Sequence, residues 1–310
     1  MVETSKAGHV HKRMRRARGD VIYDTVIFII LTFIFLIVAY PLYFVIISSI
    51  SDPIEVSAGK VTLAPVGFTW DGYKEVFESK TVMRGFLNSL IITVLGTSIN
   101  LLVTIPTSYA LSRPDFVLKK PITLFYILTM FVGGGMMPTY VVVRGTHLLN
   151  TWWALVLPGC LGVYNMIVAR TFFKTNIPQE LMEAAKLDGC GNTKFFIYVV
   201  LPLSGAITAI LCLYYGVGHW NSYFSALIYI QKRELWPLQM ELRNILVLNT
   251  TVQTHELMTA EQLAEKKRLE ALKEMMKYSL IIISSIPVLI VYPFVQKHFV
   301  KGVMIGSVKG

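Results

Sequence analysis

Six long stretches without a single Asp, Glu, Lys or Arg dominate this chain: residues 25–51, 85–112, 121–143, 145–169, 195–231 and 278–296. Each reaches or exceeds the roughly 18–20 residues that a helix needs to cross the hydrocarbon core of a bilayer. A soluble fold would have to bury all of them in one core. The composition argues against that, since 54% of residues are hydrophobic and 15% charged, whereas about 25% are charged in an ordinary globular domain. The expected fold class is an all-α membrane protein with six transmembrane helices. An even number of crossings puts both termini on one side.

The net charge of +10 does not point to nucleic acid, because of where the charges fall. Lys6, Lys12, Arg13, Arg15, Arg16 and Arg18 precede the first apolar run. Arg113, Lys119 and Lys120 follow the second, and Arg170, Lys174, Lys186 and Lys194 follow the fourth. Lys297, Lys301 and Lys309 close the chain. Basic residues in short loops stay cytoplasmic, so both termini and the segment after residue 170 are expected inside the cell. The basic arm 1–20 would touch anionic membrane lipid. The first apolar run is too long for a signal peptide and lacks a small-residue cleavage site. Cys160, Cys190 and Cys212 make no disulfide framework, and the histidines lack metal-ligand spacing. No metal site and no catalytic residue is expected.

Between the fourth and fifth runs lies the only long polar interruption in the middle of the chain, Asn176 to Leu203. Asn176 is expected to cap a helix that carries Pro178 in its first turn. Glu180 and Glu183 suit the positive end of its dipole. Leu181, Ala184 and Ala185 fall on one face, with two small side chains that admit a close neighbour. Asp188, Gly189 and Gly191 end the helix, glycine being the residue that accepts a left-handed C-cap. Asn192 or Thr193 is expected to cap a second short helix leading to Pro202. Two short helices meeting at a glycine turn at the membrane surface have the shape of a docking element.

Glu183-Ala184-Ala185, Gly189 and Leu201-Pro202 resemble the EAA signature of ABC importer permeases, with Val199 where an isoleucine is usual. Ile177, Pro178, Glu180, Leu181 and Asp188 resemble its carbohydrate-uptake branch. Residues 65–73, PVGFTWDGY, are similar to an external stretch of sugar permeases. The run from Leu227 to Leu246, a helix-forming segment 256–276 and the end of the chain resemble the polysaccharide or aldouronate-type subgroup. The resemblance covers nearly everything after residue 20. It implies a type I importer transmembrane domain in a bacterial cell membrane, with Glu183, Ala184, Ala185, Asp188, Gly189, Leu201 and Pro202 coupling to a separate ATPase. It also implies that Gly306, Ser307, Val308, Lys309 and Gly310 reach that ATPase.

The expected organisation is a cytoplasmic arm (1–20), a first transmembrane helix with an external segment (21–84), a transmembrane core (85–297) and a cytoplasmic tail (298–310). The core holds the docking loop 176–203 and an external helical insertion at 232–276, with Leu257, Leu263, Leu269 and Leu272 as its buried positions. The spans are expected near 22–50, 85–111, 121–143, 151–171, 199–220 and 278–296. Pro41 should kink the first span, Gly133-Gly134-Gly135 the third, and Pro158-Gly159 the fourth. Asn88, Ser89, Thr93, Asn100 and Thr104 suit interhelical hydrogen bonds or a wet pathway. A sugar pathway would draw on Asn88, Met136, Tyr164, Asn165, Trp220, Asn221 and Tyr223, rings stacking on sugar faces and amides meeting hydroxyls.

No G-x-x-x-x-G-K-[ST] loop is present, so the chain itself holds no cofactor and ATP-Mg belongs to a partner. The implied partners are a homologous second permease subunit forming a heterodimer, two ATPase subunits, an extracellular solute-binding lipoprotein and an oligosaccharide. Importers of amino acids or peptides share the docking motif. A secondary transporter would need ionisable residues inside the spans, and a membrane enzyme a cluster of acid, base or metal ligands. The apolar runs hold neither.

Overall fold

The computed structural model describes residues 18–248 and 260–307. Among them every regular element is helical: α1 (Arg18–Ser49), α2 (Pro53–Ser57), α3 (Asp71–Glu78), α4 (Lys80–Ser112), α5 (Lys119–Phe131), α6 (Met136–Gly145), α7 (Trp153–Val156), α8 (Val163–Asn176), α9 (Gln179–Leu187), α10 (Asn192–Phe195), α11 (Leu201–Leu203), α12 (Gly205–Trp220), α13 (Phe224–Tyr229), α14 (Leu238–Leu248) and α15 (Ala260–Ser307). The stretches Gly19–Ser49, Lys80–Ser112 and Ala271–Pro293 are each long and apolar enough to cross a membrane. Three further apolar segments are pairs of helices bent at a break: α5 with α6 by 115°, the α7 segment with α8 by 52°, and α10–α11 with α12 by 77°.

The bundle is organised around α4, which packs against α7, α8, α12 and α14. Its 33 residues span about 50 Å at 1.5 Å per residue. Ser79 accepts the first free N–H of this helix, from Val82. Along α4 a series of buried polar side chains faces the neighbours. Asn88 donates to the carbonyls of Glu234 and Trp236 at 2.8 and 2.9 Å. Ser89 accepts from the N–H of Leu238 at 2.8 Å, and Ser108 donates to Met166 O at 3.1 Å. Inside a membrane each freed backbone group needs such a partner.

The fourth apolar segment shows how this works. Pro158 and Gly159 break it into a short first helix and α8, as expected. The break frees backbone groups that side chains then satisfy. Asn100 donates to the carbonyls of Gly159 and Cys160 at 3.0 and 2.8 Å. The N–H of Gly162 donates to the hydroxyl of Tyr215 at 3.1 Å, and that hydroxyl also bonds Thr104 at 2.8 Å. His219 Nε2 lies 2.6 Å from Asn100 Oδ1. Because the Asn100 amide nitrogen is already donating, His219 donates here.

Four expectations need correction. The third apolar segment is not a kinked helix but two helices at 115°. Gly135 adopts φ +79°, open to glycine and costly for other residues, and the chain cannot continue the helix through it. The fifth apolar segment does not run as one helix from Val199, because Ser204 ends α11 and the chain turns by 77° before α12 begins at Gly205. The external insertion is not a separate helix either. Its first part packs as α14 onto α4, while residues 260–276 run without a break into the last apolar segment as the 48-residue α15. That helix also takes in Gly306 and Ser307, so the tail expected at 298–310 is helical as far as Ser307. Finally, α1 begins at Arg18, inside the stretch assigned to the arm. Val308, Lys309, Gly310, Leu257 and the basic residues before Arg18 lie outside the described residues, as do the side chains of Leu263 and Leu269. Leu272 is half-buried.

Helix α1 stands apart. Its residues from Val21 to Val38 are exposed, and it meets α15 near its end. There Phe44 and Ile47 join Val56, Val61 and Tyr278 in a small apolar cluster. The segment 51–79 is therefore packed between α1 and α15, and Val76 joins Val82, Trp220, Leu238, Met276 and Leu280. Phe68, Trp70 and Phe77 stay exposed on it.

Candidate functional site

The polar interruption folds as a hairpin of short helices laid across one end of the bundle. Helix α9 ends in a Schellman motif: Cys190 N–H donates to Ala185 O at 2.8 Å, and Gly189 N–H to Lys186 O at 3.0 Å. Gly189 holds φ +73° with no atom within 4 Å of a built Cβ, so backbone conformation rather than crowding demands glycine. The caps differ from expectation. Asn176 closes α8, donating back to Phe172 O, and the residue before α9 is Pro178. Gly191, not Asn192 or Thr193, precedes α10.

The expected small-residue face is divided. Ala185 turns inward with Met182 and Cys190, against a core of Tyr109, Ala169, Phe173, Phe195, Val200, Ile207 and Leu211. Ala184 remains exposed beside Glu183 and Asp188. Leu187 is 90% exposed, and Leu181, Tyr198 and Leu201 are exposed as well. Pro202 is exposed. Glu183 has no ion pair among the described residues. So one side of the hairpin is welded to the membrane helices. The other presents apolar groups and a free carboxylate to whatever covers it.

A clamp that the sequence reading missed ties the hairpin to α4. Arg113, just past the end of α4, binds both carboxylate oxygens of Asp115 and donates from Nη1 to Asn192 Oδ1 at 3.0 Å. Lys186 reaches Asp115 at 3.6 Å. The Arg113 guanidinium lies 5.9 Å from the Tyr109 ring centre, and that ring stacks on Phe196. Arg170 donates to Leu111 O at 3.0 Å. Hydrogen bonds from Arg113 hold the Asp115 carboxyl down at about 2, and Asp115 in turn raises Arg113. In sequence Arg113 counted only as a cytoplasmic positive charge. Its partner Asn192 lies 79 residues away, beyond the reach of any local pattern.

The seven pathway residues do not form one cluster; among the described residues no hydrogen bond or ring contact joins any two of them. Asn88 is buried and committed to the Glu234 and Trp236 carbonyls. Trp220 is 3% exposed and donates to Ser284 O. Met136 is exposed beside the glycine break, Tyr164 is exposed and Asn165 half-buried in the first turn of α8. Asn221 and Tyr223 are exposed after α12. Trp220 borders a crevice of about 350 Å³ between α4, α12 and α15. Thr93 and Thr97 also line that crevice, and among the described residues their hydroxyls have no partner.

Among the described residues the chain is all-helical, with several membrane-length apolar segments and a short-helix hairpin braced against them, the architecture of an integral membrane protein. Comparison with known proteins makes the class specific. The chain is 36% identical over 291 residues to the polygalacturonan/rhamnogalacturonan transport system permease YtcP of Bacillus subtilis, covering 93% of this chain and 99% of that one. It is 36% identical to Protein LplC of the same organism, over 96% and 98% of the two chains. A chain in the crystal structure of a bacterial ABC transporter that imports the acidic polysaccharide alginate superposes with a TM-score of 0.82 at 28% identity, covering 92% and 99%. No protein-family model matches. The chain belongs to the family of sugar-transport permeases of ABC importers.

Proposed function

We propose that this chain is one of two homologous transmembrane subunits of an importer for oligosaccharides bearing uronate carboxylates. It would span the bacterial cell membrane six times, with both termini and residues 176–203 in the cytoplasm. The observation that carries the mechanism is the two-sided hairpin. Its inner side is fixed to α4 and α8 through the apolar core and Arg113, and its outer side is open. Two ATPase subunits, holding ATP-Mg, would each grip one such hairpin, here through Glu183, Ala184, Gly189 and Leu187. Closure of the ATPases on ATP would then move α4, α8 and α12 as a body, because little play exists between hairpin and helices.

A second subunit is supported by what this chain leaves uncovered. Gly133, Gly134 and Gly135 break a membrane segment with little or nothing packed on them, and most of α1 is bare. Irregular backbone at membrane depth needs protein or water around it. An external sugar-binding lipoprotein would dock on the side that carries Phe68, Trp70 and Phe77. The acidic substrate class is supported by the alginate importer neighbour and by a recess of about 230 Å³ lined by Lys80, Arg84, Arg233 and Glu234. Lys80 and Arg84 have no carboxylate partner among the described residues. Arg233, by contrast, is bound to the buried Glu241.

Proteoliposomes holding both permeases, the ATPase and the binding protein test this reading by uptake of labelled oligogalacturonate against a neutral oligosaccharide of equal length. Uptake of the acidic sugar that depends on ATP supports it. Uptake of only the neutral sugar overturns the substrate class, and uptake without ATP overturns the importer.

A further inference from the structure

A second recess, of about 480 Å³, opens where α4, α8 and α9 converge at the hairpin end of the bundle. Three cationic side chains line it, Arg113, Lys119 and Lys174, against one carboxylate, Glu180. Arg113 is already neutralised by Asp115. Lys119 is half-buried and donates only to the carbonyls of Arg113 and Pro114, at 3.2 and 2.8 Å. Two carbonyls take two of its three protons but leave its charge uncompensated, a costly state for a group withdrawn from water. Lys174 also lacks a carboxylate partner among the described residues. Tyr109, 8% exposed, adds a hydroxyl to the same wall, beside the Arg113 guanidinium.

The surroundings narrow the ligand. Val117 and Leu118 are 89% and 56% exposed immediately before Lys119. Leu124, Phe125 and Leu128 then continue an exposed apolar strip along α5. Basic groups at the ends of membrane helices, beside bare apolar side chains, match a phospholipid that carries negative charge at its head and hydrocarbon below. We propose that this recess binds the headgroup of an anionic phospholipid. Lys119 and Lys174 neutralise the phosphate, the Tyr109 hydroxyl donates to one of its oxygens, and the acyl chains lie along α5. The bound lipid bridges α4, α8 and the first turn of α9, stiffening the root of the hairpin. The inference needs only the chain's residence in a membrane, so it stands apart from the substrate and ATPase assignments.

The shared chemistry is a phosphate anion, and the test separates its sources. The complete importer is purified, exchanged into nanodiscs of phosphatidylcholine with a minor fraction of phosphatidylglycerol, and its retained lipid counted by native mass spectrometry. Wild type is expected to retain phosphatidylglycerol selectively, unaffected by inorganic phosphate. Lys119→Gln and Lys174→Gln should each weaken retention about fivefold and together roughly thirtyfold, from about 1 kcal/mol per basic residue at a lipid surface. The matching pair Lys119→Arg and Lys174→Arg keeps the charge and should keep the lipid. Equal retention in the Gln pair overturns the proposal. So does displacement by inorganic phosphate, which would make the site one for free anions. Retention by the permease subunits alone, lost once the ATPase is bound, would assign the recess to an ATPase side chain instead.

Discussion

Two breaks in membrane segments, close in sequence, are treated in opposite ways. At Pro158-Gly159 the freed carbonyls of Gly159 and Cys160 and the N–H of Gly162 are all taken up by Asn100 and Tyr215. At Gly133-Gly134-Gly135 the chain turns more sharply, by 115° against 52°. Yet among the described residues nothing beyond the chain neighbours lies within 4 Å of a Cβ built on Gly133 or Gly135. The first break is internal to the fold, a fixed bend held by α4 and α12. The second has the Thr139 hydroxyl on Gly135 O at 2.8 Å and, among the described residues, no side chain of another helix packed against Gly133 or Gly135. Polar residues in a membrane helix therefore do not by themselves mark a pathway; on α4, Asn100 serves the first break directly and Thr104 through Tyr215, while Asn88 and Ser89 hold the segment before α14.

The largest effect is expected from Asn100→Leu. It strips partners from the carbonyls of Gly159 and Cys160 and from His219, each loss worth about 1 kcal/mol. Thermal unfolding of the detergent-solubilised chain should show a marked drop. Gly134→Ala, at the other break, should leave that transition unchanged, since the nearest side-chain atom is Pro138 Cβ at 3.7 Å. It should instead impair pairing with the second permease or transport. A large stability loss from Gly134→Ala would erase the contrast between the two breaks.

Smaller effects belong to the clamp. Arg113→Gln should cost under about 1 kcal/mol of global stability, because its ionic partner is partly exposed. Hydrogen exchange through Gly189–Phe195 should nevertheless quicken, since the Asn192 contact is lost. Smallest of all is the acid response. The Asp115 carboxyl is lowered from 3.8 to about 2 in the folded protein. Its stabilising contribution is therefore complete above pH 3.8 and fades as pH falls toward 2. Exchange at the hairpin should rise across that window in wild type and stay flat in Asp115→Asn.

The apolar segments and the glycine turn were legible in the sequence because both are local: uncharged length writes a membrane helix, and Asp188-Gly189 writes a C-cap. The bend angles were not. Gly133 to Gly135 announced weakness but not direction, and Ser204 carried no signal that a helix would turn by 77° there. Ala184 and Ala185 look equivalent in sequence, and only packing against Phe173 and Phe195 separates the inward one from the outward. The continuity of α15 was hidden by composition, since a charged half and an apolar half read as different elements. The Arg113–Asn192 bond is tertiary, so no local reading reaches it.

The most direct test of the central claim, that a rigid two-sided hairpin couples ATP hydrolysis to the spans, is ATP turnover by the reconstituted importer. Wild type is compared with Glu183→Arg on the open side and Gly189→Val in the cap, where a left-handed backbone costs a β-branched residue about 1–2 kcal/mol. The account predicts that binding protein with sugar stimulates wild type, and that both variants insert and assemble but lose the stimulation. Full stimulation in both variants would contradict it.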